Sequence, residues 1–79
     1  MGRGATGQSI PVGPWLDFET AYAFGGNALK AAAKRDGQIV TEWAAICRPD
    51  GLWQAAGFCH SPRDLAGEGN YIVAGGEPG

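Results

Sequence analysis

The sequence contains few of the residues on which most catalytic and metal sites depend. It holds one His and two Cys among its 79 residues. A structural zinc site needs four ligands, and a Cys–His nucleophile needs its imidazole beside the thiol. Cys59 and His60 are neighbours on a predicted strand, so their side chains point to opposite faces. We therefore expect no catalytic pair, no metal site and no cofactor.

The chain also lacks an excess of charge of either sign. Eight acidic and six basic residues give a net charge of -2, which is too weak for a general nucleic-acid binder and for a highly charged DNA mimic. Lys30, Lys34 and Arg35 form one basic patch, which we interpret as a solvated helix end. The fourteen Gly form no P-loop and no G-x-G-x-x-G that follows a strand. We expect neither phosphate binding nor direct contact with nucleic acid.

Long hydrophobic runs are missing as well. None approaches the ~20 apolar residues of a membrane span, and no apolar segment of the signal-peptide kind follows Met1. Cys47 and Cys59 are predicted to lie roughly 20 Å apart along a sheet, whereas a disulfide needs Cα atoms within about 7 Å. Two free thiols indicate a reducing compartment, so we expect a cytoplasmic protein.

What the sequence does contain is a strong β-hairpin pattern in residues 38–60. Pro, Asp and Gly in Arg48-Pro49-Asp50-Gly51 suit a three-residue loop with a bulge, because Pro presets φ and Gly accepts a positive φ. This turn predicts that Cys47 lies opposite Trp53. Continued outward, the same register pairs Trp43 with Gly57 and Thr41 with Cys59.

Alternation along these strands predicts one uncharged face and one mixed face. The uncharged face consists of Ile39, Thr41, Trp43, Ala45, Cys47, Trp53, Ala55, Gly57 and Cys59. The mixed face consists of Val40, Glu42, Ala44, Ile46, Arg48, Leu52, Gln54, Ala56, Phe58 and His60. We expect the first to be core and the second to face solvent or a partner.

Residues 15–24 fit two patterns. At period two they form a half-buried strand rich in aromatic residues. At helical spacing they form an apolar seam with Asp17 as N-cap, but the helix must then cross Gly25-Gly26 at a cost of about 1 kcal/mol per Gly. We favour the strand, followed by a helix over 28–35.

Together these elements predict an α+β fold, with a small antiparallel sheet of three to four strands and one packed helix. The central element is the hairpin of residues 38–60, and residues 70–74 supply a last strand. We expect residues 1–14 to be a flexible leader, 15–74 a single domain and 75–79 a flexible tail.

The acidic residues outside the basic patch supply the main candidate surface. Asp17 and Glu19 share one face if residues 15–24 form a strand. Such acids usually serve solvation, but they can also dock on an Arg/Lys-rich partner by imitating phosphates. No pocket or raised pKa marks them for general acid–base catalysis, so we predict a non-enzymatic protein. Trp15 is added because Trp is enriched at the energetic centres of protein interfaces. The candidate partner-binding residues are Trp15, Asp17, Glu19, Glu42, Arg48 and Asp50.

In its size, mild acidity, absence of motifs and cytoplasmic character, the whole chain resembles the small phage-encoded inhibitors known as anti-CRISPR proteins. Those proteins share no common motif, so no residue role is carried over. The resemblance implies an inhibitor that occupies the DNA-binding surface of a Cascade-like CRISPR effector complex in the host cytoplasm. A net charge of -2 favours obstruction at a few contacts over full DNA mimicry.

A second hypothesis is a small phage virion or assembly protein that forms homo-oligomers. The mixed hairpin face, with Ile46 and Phe58, would suit packing of one sheet on another. Between a monomer and a homo-oligomer, the sequence favours the monomer.

Overall fold

The computed structural model describes residues 8–65, 67 and 69–76. In chain order its strands are β1 (Gln8–Ile10), β2 (Ile39–Cys47), β3 (Trp53–His60) and β4 (Asn70–Ala74). A helical region lies between β1 and β2 and consists of α1 (Phe18–Thr20), a π-helical segment (Ala21–Gly25) and α2 (Gly26–Arg35). The sheet order is β1-β4-β3-β2. The predicted α+β class is confirmed.

The sheet is mixed rather than purely antiparallel. β2, β3 and β4 pair antiparallel, as the two short connections require, but β1 lies parallel to β4. β1 belongs to the part predicted as a flexible leader. Residues 1–7 of that leader and 77–79 of the predicted tail lie outside the described residues.

The strand favoured for residues 15–24 is wrong, because this stretch enters the helical region. Asp17 caps α1, its carboxylate accepting a hydrogen bond from the Thr20 backbone N–H at 2.8 Å. The helix then continues through Gly25 and Gly26, where a Cβ atom would lie 2.4 Å from the Ala55 Cβ and 2.5 Å from the Trp43 ring. These two Gly therefore permit a close approach of helix to sheet, and that contact outweighs their low helix propensity.

The hairpin register is correct near the turn and wrong near Thr41. Cys47 pairs with Trp53 and Trp43 with Gly57, as predicted. A bulge between Val40 and Glu42 then places Val40, rather than Thr41, opposite Cys59. Because the bulge inserts one extra residue, Val40 moves to the helix side and packs against the core, while Thr41 is exposed.

The hydrophobic core lies between the helical region and one face of the sheet. Its fully enclosed members are small, apart from two larger side chains. The buried cluster consists of Leu29, Ala33, Ala55, Cys59, Ile72 and Ala74. Trp15, Trp43 and Ile10 pack around it and are only partly buried. The opposite face of the sheet has no helix against it in the described part of the chain.

Candidate interaction surfaces

Asp17 and Glu19 lie in the first turn of the helical region, and both are exposed. Hydrogen bonds from Thr20 hold the pKa of Asp17 below its usual value. The bond from the Thr20 side chain has the larger effect, and the bond from its backbone N–H has the next largest. A negative charge at a helix N-terminus is also favoured by the helix dipole. Asp17 therefore has a structural role as a cap, while Glu19 is free in this structure to meet a partner.

Asp50 occupies the hairpin turn with Arg48. One Asp50 oxygen accepts a bond from the Leu52 backbone N–H at 3.0 Å, and the other accepts one from the Arg48 guanidinium at 2.9 Å. The Leu52 hydrogen bond is the main cause that lowers the pKa of Asp50, and the Arg48 charge lowers it further. The Asp50 side chain is still 46% exposed, so it remains accessible to a partner.

Arg48 contributes more to the fold than to the surface. Its side chain is 15% exposed, and its guanidinium donates to the Gly75 and Gly76 carbonyls at 2.8 and 3.2 Å. Arg48 thereby ties the hairpin turn to the end of β4.

Trp15 is likewise engaged within the fold. Its backbone exchanges two hydrogen bonds with Trp53, at 2.9 and 2.8 Å, which extend the sheet beside the first residue of β3. Its ring is half-buried and packs against the core beside Gly13, Gly25 and Gly75.

The fold brings three of the predicted acids to one end of the molecule. Because Trp15 pairs with Trp53, residues 15–19 lie beside the start of β3 and hence beside the hairpin turn. We call Asp17, Glu19 and Asp50 the acidic end. Glu42 does not join them, since it lies on the opposite face of the sheet.

A row of aromatic rings begins at the acidic end, and the sequence interpretation did not predict it. The Phe18 ring centroid lies 5.9 Å from Tyr22 and 5.7 Å from Trp53, and Tyr22 lies 5.2 Å from Trp43. The Lys30 ammonium sits 4.5 Å from the Trp43 ring centroid, a cation–π geometry. A helix over residues 18–30 aligns Phe18 and Tyr22, so the helical alternative for residues 15–24 contained the signal.

Leu16 and Phe18 add exposed apolar surface next to Asp17 and Glu19. Leu16 is 82% and Phe18 48% exposed. In the described residues the acidic end therefore combines carboxylates with protruding apolar side chains, a combination typical of protein interfaces.

The uncovered side of the sheet forms a second surface, which we call the open face. Its large exposed side chains are Ile46, Phe58 and Tyr71, at 42%, 51% and 41% exposure. The Phe58 and Tyr71 rings lie 5.5 Å apart. They border a shallow depression of about 260 Å³ whose rim carries Glu42. Exposure of Ile46 and Phe58 on this face agrees with the hairpin pattern, whereas Tyr71 is added by β4.

The two cysteine side chains differ in their surroundings. Cys59 is buried and Cys47 exposed, and both thiols are free. The Cys59 thiol donates to the Asn70 carbonyl at 3.5 Å. Within the described ranges, no three side chains of His, Cys, Asp or Glu come together in a way that could hold a metal.

Comparison with known proteins adds no assignment to these surfaces. No protein-family model matches the chain, and no curated protein or solved structure matches it significantly. Among the described residues, no helix is both long enough and apolar enough to cross a membrane.

Proposed function

We propose that the protein is a non-enzymatic binding module that inhibits a partner by covering a basic surface. The observation that supports this most directly is the acidic end, where three accessible carboxylates stand beside the exposed Leu16 and Phe18. Carboxylates would steer the protein toward Arg and Lys side chains, and the apolar residues would supply buried contact area.

The partner we propose is a Cascade-like CRISPR effector complex, at the surface where it holds DNA phosphates. The acidic end contributes a few charges in one place rather than a long negative strip. That arrangement suits obstruction of part of a DNA path, and the net charge of -2 agrees with it. The helix C-terminus, with Lys34 and Arg35, would face away from such a partner.

Phage plaque formation tests this proposal in cells that carry an active CRISPR system. Expression of the protein should restore plaques, and a variant in which Asp17→Ser and Glu19→Gln are combined should restore fewer. Ser keeps the capping function at position 17 while it removes the charge. The matched control combines Lys34→Gln with Arg35→Gln and should act like wild type. Failure of the wild-type protein to restore plaques against every system type would overturn the proposal.

The second candidate function is a small phage virion or assembly protein, and the open face favours it. Ile46, Phe58 and Tyr71 expose apolar surface on a sheet that nothing in the described chain covers, as expected of a face that packs on another subunit. Phe58→Ser should then abolish assembly while the acidic-end variant assembles normally. Unchanged assembly of the Phe58→Ser protein would count against the open face.

A further inference from the structure

β2 forms a long edge of the sheet that is only weakly protected. It has nine residues, whereas β1 at the other edge has three. Protein sheets usually keep exposed edges short or charged, because an unpaired edge is a template for another strand. Glu42 is the one charged residue in β2, and the bulge disturbs only the end near Val40. Residues 42–48 are therefore a regular and accessible edge.

The backbone groups that point outward from this edge can be identified. The Arg48 backbone N–H donates to the Leu52 carbonyl. The backbone N–H and C=O of Trp53 both bond to Trp15, on the side away from β2. The pair Cys47–Trp53 is thus a non-hydrogen-bonded pair of the hairpin, and so are the alternate pairs that contain Ala45 and Trp43. Their N–H and C=O groups point away from β3, and no other described residue bonds to them.

We propose that two copies of the chain pair antiparallel through this edge, about a two-fold axis at Ala45. Ala45 is the centre of the regular segment 42–48, so this axis gives the longest overlap. It places Ala45 opposite Ala45 of the second copy and Trp43 opposite Cys47. In both copies, the outward N–H and C=O groups of Trp43, Ala45 and Cys47 then face each other. These residues can therefore form the hydrogen bonds of an antiparallel ladder.

The side chains on the open face are compatible with the same register. Glu42 occupies the position opposite Arg48 of the second copy, so no two like charges are paired across the edge. The Arg48 guanidinium extends inward from the edge to the carbonyls of 75–76, so the pairing leaves those bonds in place. Ala44 lies opposite Ile46, which sets a small residue against a large one.

The resulting dimer has one continuous sheet made of two four-stranded halves. The two-fold axis is perpendicular to the sheet, so both helices lie on the same side of it. Tyr22, packed on Trp43 at the edge, would approach the second copy there. Strand pairing over seven residues is at the small end of interface sizes, so we expect a dissociation constant on the order of 1–100 µM. This dimer departs from the monomer that the sequence favours, and it does not depend on the proposed inhibition.

Sedimentation velocity over a concentration series provides the first test. Wild-type protein should shift from the 8.2 kDa chain toward twice that mass. Ala45→Pro removes the central outward donor without removing a bond to β3. Because the change occurs in both copies, two hydrogen bonds are lost, and we expect the dissociation constant to rise ~30-fold.

The matched control is Gln54→Lys, which adds a charge on the open face of β3, one strand away from the edge. It should dimerise like wild type if the edges pair, and it should fail to dimerise if two open faces stack instead. Circular dichroism verifies that each variant folds. A wild-type protein that stays monomeric throughout the series would overturn the proposal, and so would an Ala45→Pro dimer as tight as wild type.

Oxidative cross-linking tests the register and does not depend on how well the Pro variant folds. Hydrogen-bonded antiparallel pairs have Cα atoms about 5.5 Å apart, within disulfide range. In a Cys47→Ser background, Ala45→Cys should therefore give a covalent dimer on a non-reducing gel, whereas Gln54→Cys should not. Equal cross-linking of the two, or none at position 45, would contradict the register.

Discussion

Asp17 holds the beginning of the helical region and at the same time carries one of the charges of the acidic end. The hydrogen bonds from Thr20 stabilise the ionised carboxylate, which is why its folded-state pKa is lowered from 3.8. An unfolded chain lacks those bonds. The stabilisation is therefore fully present above the unfolded pKa and is lost as pH falls through the lower folded pKa.

Substitution of Asp17 separates the two roles. Asp17→Ala should lower the melting temperature at neutral pH, because the Thr20 N–H loses its acceptor. Asp17→Ser should retain most of the stability, since its hydroxyl can accept the same bond. The difference between wild type and Asp17→Ala should shrink below about pH 4, where the carboxylate becomes protonated. Thermal unfolding followed at several pH values measures this, and a difference that does not change with pH would contradict the capping role.

Arg48 illustrates a side chain whose importance lies in the backbone groups it binds. We expect Arg48→Gln to destabilise the fold by about 1–3 kcal/mol, because the Gly75 and Gly76 carbonyls lose a charged donor. Arg35→Gln, at an exposed position of α2, should change the free energy of unfolding by less than about 0.5 kcal/mol. Urea unfolding of both variants makes the comparison, and similar values would show that the Arg48 contacts contribute little.

The position of the helical region is set by its contacts with the sheet. Its π-helical segment contains Tyr22, whose carbonyl accepts a hydrogen bond from the Trp43 indole N–H at 2.9 Å. One turn later, Gly25 and Gly26 let the helix axis approach β2 and β3. A residue with a side chain at either position would push the helix away from the core.

Gly25→Ala should therefore destabilise the protein, although Ala is the better helix former. Its Cβ would lie 2.4 Å from the Ala55 Cβ, and overpacking of this kind costs about 1–3 kcal/mol. The double variant with Ala55→Gly removes the opposing methyl and should recover part of that loss, a coupling that chemical denaturation of all four proteins measures. Ala31→Gly, exposed on the same helix, controls for helix propensity, and additive effects of positions 25 and 55 would contradict the clash.

At the scale of the whole molecule, the acidic end and the basic end of α2 lie apart. Asp17, Glu19 and Asp50 gather at the hairpin-turn end, whereas Lys34 and Arg35 lie in the last turn of α2. The open face carries apolar side chains on the far side of the sheet, and β2 ends the sheet with unpaired backbone groups. The proposed inhibition and the proposed dimer thus use different parts of one small molecule.

Salt dependence distinguishes the acidic end from the other surfaces once a partner complex has been purified. Wild-type affinity should fall as salt rises, because steering by exposed charges is screened. The combined Asp17→Ser and Glu19→Gln variant should bind more weakly at low salt and show a shallower salt dependence, while the Lys34→Gln and Arg35→Gln control keeps the wild-type slope. Calorimetric titration at several salt concentrations tests this. If the affinities of wild type and the acidic-end variant depended on salt concentration in the same way, electrostatic docking through the acidic end would be contradicted.

The sequence by itself determined the hairpin, because the turn residues around Gly51 and the alternation that follows them are local signals. The strand at residues 70–74 and the exposure of Ile46 and Phe58 also follow from such signals. Only the tertiary structure decided that residues 18–25 are helical, since the contacts of Gly25 and Gly26 with β2 and β3 come from distant parts of the chain. The same holds for the bulge beside Val40 and for the gathering of the acidic end. Each depends on contacts between segments that are distant in the chain, and no local pattern contains that information.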